Sequence, residues 1–131
     1  MNLSDSQKIE IENEKLIIRD RYLTIKNTNI TARLSKNQRA LILCLMNNII
    51  EKEKIIHNIW GRSQTDEKEK NYNQLVFQTR ALLKKQGFPN DLIMTIHRYG
   101  LCLNKSFLES NEAETLYSAE STIRSKSDVK I

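Results

Sequence analysis

The sequence predicts an α+β fold in which short strands come first, three helices follow, and a β-hairpin ends the ordered part. Apolar residues alternate with polar ones through 8–34, which is typical of strands with one solvated face. Apolar residues then recur three times at helical spacing between 35 and 86. Two short apolar runs around a polar tip occupy 92–103, a pattern that indicates a hairpin.

The strand region predicts a four-stranded antiparallel sheet preceded by a flexible N-terminus at 1–7. Its four alternating runs are KIEIE, KLIIR, YLTIK and ITARL. Short polar breaks separate them at Asn13-Glu14, at Asp20-Arg21 and at 27–29. Because the breaks are tight, neighbouring strands are expected to pair as a meander with one face on the core.

Each helix has its own boundary signals. Ser35 followed by Gln38 predicts a capping box at the start of the first helix, and Asn47-Asn48 ends it, with Ile49-Ile50 expected to form a bridging strand pair. The second helix ends at Gly61, which is placed for a left-handed C-cap. Its apolar face is Ile55, Ile56, Ile59 and Trp60, and that of the first helix is Leu41, Ile42, Leu45 and Met46.

The third helix is expected over 71–86, stopped by Gly87. Residues 62–70 contain no apolar residue and predict a solvated loop before it. A turn at Pro89-Asn90-Asp91 leads into the hairpin, and from Lys105 onward a polar tail or linker is expected, with a helical turn near 113–117. The inward side chains of the helix are expected to be Tyr72, Leu75, Val76, Thr79, Leu82 and Leu83.

Charge and composition exclude several classes of protein. Of the net charge of +5, segment 35–104 holds eleven Lys/Arg against six Asp/Glu, which favours a polyanion-binding face there. No apolar run is long enough to span a bilayer, and the N-terminus lacks a signal-peptide core. Cys44 and Cys102 sit among apolar neighbours and are interpreted as core residues rather than as a disulfide or metal pair. No P-loop, GxSxG, HExxH or paired-carboxylate arrangement is present, so neither an enzyme nor a cofactor is expected.

Strands, three helices and a hairpin in this order form the winged-helix version of the helix-turn-helix. The chain resembles the effector domain of OmpR/PhoB-type regulators, and more closely the N-terminal domain of ToxR/CadC-type regulators, which lacks a preceding receiver domain. The resemblance covers 15–104, and 8–104 is taken as the domain. The pieces that carry it are LSKNQ…LILCL, IIEKEKIIHNIWG, NYNQLVFQTRALL and TIHRYGLCL.

The resemblance implies that helix 71–86 enters the major groove and that the wing, 93–103, meets adjacent backbone or the minor groove. Arg80 resembles the family's arginine that meets the phosphate backbone, and Lys70, Lys84 and Lys85 are placed for phosphates. The wing tip is matched by His97, Arg98 and Tyr99. Asn and Gln side chains pair with adenine, and Phe or Ala contacts the thymine methyl; the outward residues of these types are Asn71, Asn73, Gln74, Phe77, Gln78 and Ala81.

Alternatives stay open for these residues. Outward amides are often plain solvated side chains, and Lys84 and Lys85 also complement a helix C-terminus. Phe77 fits a contact with DNA, packing on the wing, or contact with a protein partner.

Two functions are therefore carried forward: a bacterial transcription regulator that binds AT-rich duplex DNA, and a protein-interaction module on the same scaffold. Paired binding, as a homodimer or in tandem on repeated half-sites, is expected, and RNA polymerase is a further candidate partner. The expected location is cytoplasmic with no membrane contact in these residues; the resemblance implies a transmembrane helix beyond Ile131 if the chain is an excerpt.

Overall fold

A computed structural model of the chain describes residues 10–61 and 66–110. In this part of the chain, a four-stranded antiparallel sheet precedes three helices, and a two-stranded hairpin and a short fourth helix follow. The predicted α+β class, N-terminal sheet and C-terminal hairpin are confirmed.

The N-terminal sheet is a meander in which each strand pairs with the next along the chain. A two-residue turn at Asp20-Arg21 joins the second and third strands, with Asp20 at a φ of 58°, where Asp is tolerated better than most residues. Side chains facing the helices are buried, as the alternation predicts: Leu16, Ile18, Leu23, Ile25 and Ala32. The strands are β1 (Glu10–Glu12), β2 (Leu16–Arg19), β3 (Tyr22–Ile25) and β4 (Thr31–Arg33).

Helix α1 (Lys36–Met46) begins with the predicted capping box. The Ser35 hydroxyl accepts a hydrogen bond from the Gln38 backbone N–H at 3.2 Å, and the Gln38 side chain accepts one from the Ser35 N–H at 2.8 Å. Two backbone donors at the helix start are thereby satisfied.

Helix α2 (Lys52–Trp60) has no side-chain hydrogen bond at its N-cap, Glu51. At the other end Gly61 has the predicted positive φ, 93°, but its ψ of −176° is extended and not that of a left-handed helix. The predicted cap is thus correct in position and in the sign of φ only.

Helix α3 (Asp66–Lys85) corrects the prediction of a loop over 62–70, because residues 66–70 are helical. The lack of apolar residues in this segment indicates that it is exposed to solvent, but it does not indicate a loop, because Glu and Lys are good helix formers. The Lys68 ammonium, one turn into α3, donates to the Trp60 carbonyl oxygen at 2.9 Å and so satisfies the end of α2. The remaining predicted loop residues, 62–65, lie outside the described part.

Strands β5 (Ile93–Ile96) and β6 (Gly100–Leu103) form the hairpin, and α4 (Lys105–Glu109) follows it directly. The prediction of a tail from Lys105 onward is therefore wrong for the first of these residues. Asn104 caps the helix through its side chain, and Phe107 is buried in the core, since one aromatic within a polar run is enough to anchor a helical turn. The helical turn predicted near 113–117 lies outside the described residues.

A single core joins the sheet, the helices and the hairpin. Tyr72, Leu75, Val76, Thr79 and Leu83 of α3 are buried as predicted, while Leu82 is half-buried. Thr79, which is fully buried, donates its hydroxyl to the Leu75 carbonyl oxygen at 2.7 Å, so this polar group is satisfied inside the core. Within 10–61 and 66–110, no helix has the length and apolar character needed to cross a membrane.

Candidate nucleic-acid interface

The solvent-facing side of α3 collects most of the predicted site residues. The whole stretch from Lys70 to Asn90 contains no Asp or Glu, so no carboxylate of this stretch repels an approaching anion. Asn71 is half-buried at the edge of this side. The exposed members, which we call the α3 face, are Lys70, Asn73, Gln74, Phe77, Gln78, Ala81 and Lys84, with Lys85 at the end of the helix.

Phe77 lies near the centre of the α3 face with 72% of its surface exposed. The burial of its neighbours agrees with the helical period: Val76 belongs to the buried apolar stripe, and Gln78, like Phe77, is exposed. Phe77 is therefore not a core residue, although it lines an open cleft that hairpin residues also line. A contact with DNA or with a protein partner remains open to its exposed ring.

Arg80 fastens the hairpin to α3. Its Nη2 donates to the Ile93 carbonyl oxygen at 2.9 Å and to the Thr95 hydroxyl at 2.8 Å, and its Nε donates to the same carbonyl at 3.2 Å. Lysine could not reproduce this fork of donors. The predicted phosphate contact would fall to Nη1, the guanidinium nitrogen outside these bonds.

The hairpin tip stands beside the α3 face. His97, Arg98 and Tyr99 are all exposed, and Arg98 has a left-handed φ of 60°. Phe77 and Arg80 of the helix and Thr95 and Arg98 of the hairpin line one open cleft of about 580 Å³. The structure thus brings Asn73, Phe77 and Arg80 of the helix to one cleft with Arg98 and Tyr99 of the wing tip.

Lys52, which the sequence did not single out, ties the start of α2 to both of these elements. Its backbone N–H donates to the Tyr99 carbonyl oxygen at 2.9 Å, and its ammonium pairs with the Glu69 carboxylate. The same ammonium lies 5.5 Å from the centre of the Tyr72 ring. Burial raises the pKa of Tyr72, the Arg80 charge lowers it and the Glu69 charge raises it further. No local pattern predicts Lys52, because its three partners lie on other elements.

On the other side of α3, the N-terminal end of α1 runs alongside the α3 face. Ser35 and Asn37 line the same shallow groove as Gln74 and Gln78, with Trp60 at its wall. The sequence did not predict this neighbour either, since residues 35 and 74 are far apart along the chain.

The remaining reactive side chains offer no alternative site in the described residues. Cys44 and Cys102 are free thiols; Cys44 is buried, which raises its pKa, and Cys102 is half-buried. His57 and His97 are exposed, as expected. Among residues 10–61 and 66–110, no three His, Cys, Asp or Glu side chains are grouped so as to hold a metal ion.

No protein-family model matches this chain, and no curated protein matches it.

Proposed function

We propose that this chain binds duplex DNA as a winged helix of the OmpR/PhoB type, with α3 in the major groove. The observation that carries the proposal is the α3 face: from Lys70 to Lys85 this side of the helix has no carboxylate and bears amides, one exposed phenylalanine and lysines, while Glu67 and Glu69 lie in the turn before it. The major groove of B-DNA is wide enough to admit an α-helix, and the edges of the bases are accessible there.

The chemistry of the α3 face favours AT-rich sequences. Asn73, Gln74 and Gln78 carry amides, which pair in bidentate fashion with adenine, and Phe77 and Ala81 are suited to the thymine methyl group. No arginine projects from the centre of the face toward guanine, because Arg80 is held against the hairpin. Lys70, Lys84 and Lys85 supply the phosphate contacts that set the position of the helix.

The hairpin acts as the wing in this proposal. Arg98 at its tip, flanked by His97 and Tyr99, meets the adjacent backbone or minor groove while Arg80 keeps the hairpin at a constant position relative to α3. A single copy covers few base pairs, so two copies on repeated half-sites are expected. A role as a cytoplasmic bacterial transcription regulator of the ToxR/CadC type rests on the resemblance of the sequence.

Titration of a labelled AT-rich duplex at several salt concentrations tests the proposal. Phosphate contacts from Lys70, Lys84, Lys85 and Arg98 alone should make the logarithm of the association constant fall against the logarithm of salt with a slope of about −3.6 per copy, and any additional phosphate contact should make the slope steeper. Arg80→Ala should weaken binding to all sequences, whereas Asn73→Ala or Gln78→Ala should change sequence preference. Asn29→Ala, an exposed amide in the β3–β4 turn, is the matched control. An affinity that does not depend on salt would contradict the proposal.

A protein-interaction module is the second candidate, and the exposure of Phe77 is the observation that favours it. An aromatic side chain that is 72% exposed is the type of residue that anchors protein interfaces. This reading predicts that the chain leaves duplex DNA unshifted at low salt and that Phe77→Ala abolishes capture of a protein partner. Retention of that partner by Phe77→Ala would count against it.

A further inference from the structure

Four cations gather where the β2–β3 turn, the end of β4 and the first turns of α1 meet. The Arg21 carbonyl oxygen accepts from the Leu34 N–H at 2.7 Å, so the turn and the end of β4 are in contact. The Arg39 Nε donates to the Asp20 carbonyl oxygen at 2.7 Å, which ties α1 to the same turn. We call this cluster the turn patch: Arg21, Arg33, Lys36 and Arg39.

The turn patch has little negative charge around it. No Asp or Glu occurs from Arg21 through Ile50, and the nearby Glu10 is already paired with Arg19 at 2.7 Å. Asp20 is the carboxylate within the turn itself. Arg21, Arg33 and Lys36 are exposed, and none of them forms an ion pair with a residue in the described part of the chain. Their charges are therefore available to an external anion.

One member of the turn patch, Lys36, lies beside the α3 face on the side away from the hairpin. Lys36 lies between Ser35 and Asn37, the two residues that share a groove with Gln74 and Gln78. Arg80 and Arg98 are on the opposite flank, in the cleft between α3 and the hairpin. Cations therefore border the α3 face on both flanks, although Glu51 and Glu53 also line the cleft on the hairpin side.

We propose that the turn patch contacts the phosphate backbone on the far side of the major groove from the hairpin. This inference rests on the proposed DNA binding by α3. A helix lying in the major groove has a sugar-phosphate strand along each flank, and the hairpin reaches one of them. The position of Lys36 beside the α3 face and the contacts that join the turn, the end of β4 and α1, together with the charge of the patch, assign the second strand to Arg21, Arg33 and Lys36, with Arg39 holding the turn in place.

A charge-matched pair of double variants tests the assignment. Arg33→Gln with Lys36→Gln removes two cations of the turn patch, and Lys26→Gln with Lys105→Gln removes two exposed or half-buried cations elsewhere. Lys26 lies at the end of β3 opposite the β2–β3 turn, and Lys105 begins α4. Both double variants lower the net charge equally, so any difference between them reports position.

Binding of a labelled AT-rich duplex of about three helical turns is measured against salt concentration. The turn-patch variant should lose about 1.8 from the magnitude of the salt slope, or about 0.9 for each phosphate contact removed, while the control variant keeps the slope of the original chain. Arg33→Lys with Lys36→Arg should keep it as well. Thermal unfolding midpoints should nearly agree among all variants, because Arg33, Lys36 and Lys105 are exposed and Lys26→Gln removes one ion pair, to the exposed Glu12 carboxylate, which contributes little to stability.

The outcomes separate this inference from the function on which it rests. If the original chain binds the duplex with a steep salt slope but the turn-patch variant matches the control, the inference is overturned and the proposed function stands. If the original chain does not bind the duplex, both fail. If the turn-patch variant instead loses affinity for polyglutamate while its duplex binding is unchanged, the patch serves an acidic protein and the inference is overturned.

Discussion

Gly100 shows how one residue sets the position of the hairpin. The Leu101 N–H donates to the Ile50 carbonyl oxygen, and the Lys52 N–H donates to the Tyr99 carbonyl oxygen, both at 2.9 Å. These bonds bring β6 against the backbone just before α2. A Cβ atom on residue 100 would lie 1.7 Å from the Ile50 oxygen, well inside contact distance. Only glycine allows this approach. The predicted bridging pair Ile49-Ile50 is wrong in position: the β-bridge to Gly100 is formed by Glu51, and Ile50 contributes its carbonyl oxygen.

Gly100→Ala should lower the free energy of unfolding by about 3 kcal/mol, at the high end of ordinary substitutions, because backbone atoms must separate to admit the methyl group. Gly87→Ala is the comparison variant: its φ of 98° disfavours alanine, but the nearest atom is 3.9 Å away, so the expected loss is about 1–2 kcal/mol. Urea unfolding of both variants measures the difference. Equal losses of unfolding free energy in the two variants would mean that the backbone at 50–52 can move away from an added methyl group at little energetic cost.

At the scale of elements, the start of α1 depends on two side chains close together in sequence. Ser35→Ala should lower the free energy of unfolding by about 1 kcal/mol, since it leaves the Gln38 N–H without its acceptor. Ser106→Ala is the control, because Ser106 is exposed and takes part in the α4 cap only through its backbone N–H; its expected change is within about 0.5 kcal/mol. Chemical denaturation distinguishes the two, and an unchanged Ser35→Ala variant would contradict the capping role.

Elements with such local signals could be predicted from the sequence, whereas those set by tertiary contacts could not. Alternation placed the four strands, and the capping box placed α1. The first turn of α3 was missed because its contacts, Lys68 with the end of α2 and Lys52 with Glu69, join separate elements. Helix α4 was missed because a single aromatic, Phe107, carries its packing. Hydrophobic period alone contains none of this information.

The features of the candidate site likewise fall into those that the sequence predicted and those that depend on tertiary contacts. The exposure of the α3 face and of Phe77 follows from the helical period of the buried stripe, and it was predicted. The bonds from Arg80 to Ile93 and Thr95, and the groove shared by Ser35 and Gln74, depend on how the elements pack. Sequence reasoning therefore found the side chains that face solvent but not the ones that hold the hairpin and α1 beside them.

At the scale of the whole molecule, two phenylalanines have different roles: one stabilises the fold, and the other lies on the surface available for binding. Phe107 is 8% exposed and joins α4 to the common core, whereas Phe77 is 72% exposed on the α3 face. Removing a buried aromatic leaves a cavity and loses apolar burial. Removing an exposed one leaves the native packing intact.

Phe107→Ala should lower the free energy of unfolding by about 3 kcal/mol, and Phe77→Ala should change it by less than about 0.5 kcal/mol. Binding should show the opposite order: Phe77→Ala weakens binding of an AT-rich duplex at every salt concentration, while Phe107→Ala, measured well below its unfolding midpoint, keeps the affinity of the original chain. Phe77 contributes an apolar contact with the thymine methyl and no charge, so its loss should lower affinity without changing the salt slope. A changed slope in Phe77→Ala would mean that the ring acts by positioning the lysines of α3 and not by contacting a base.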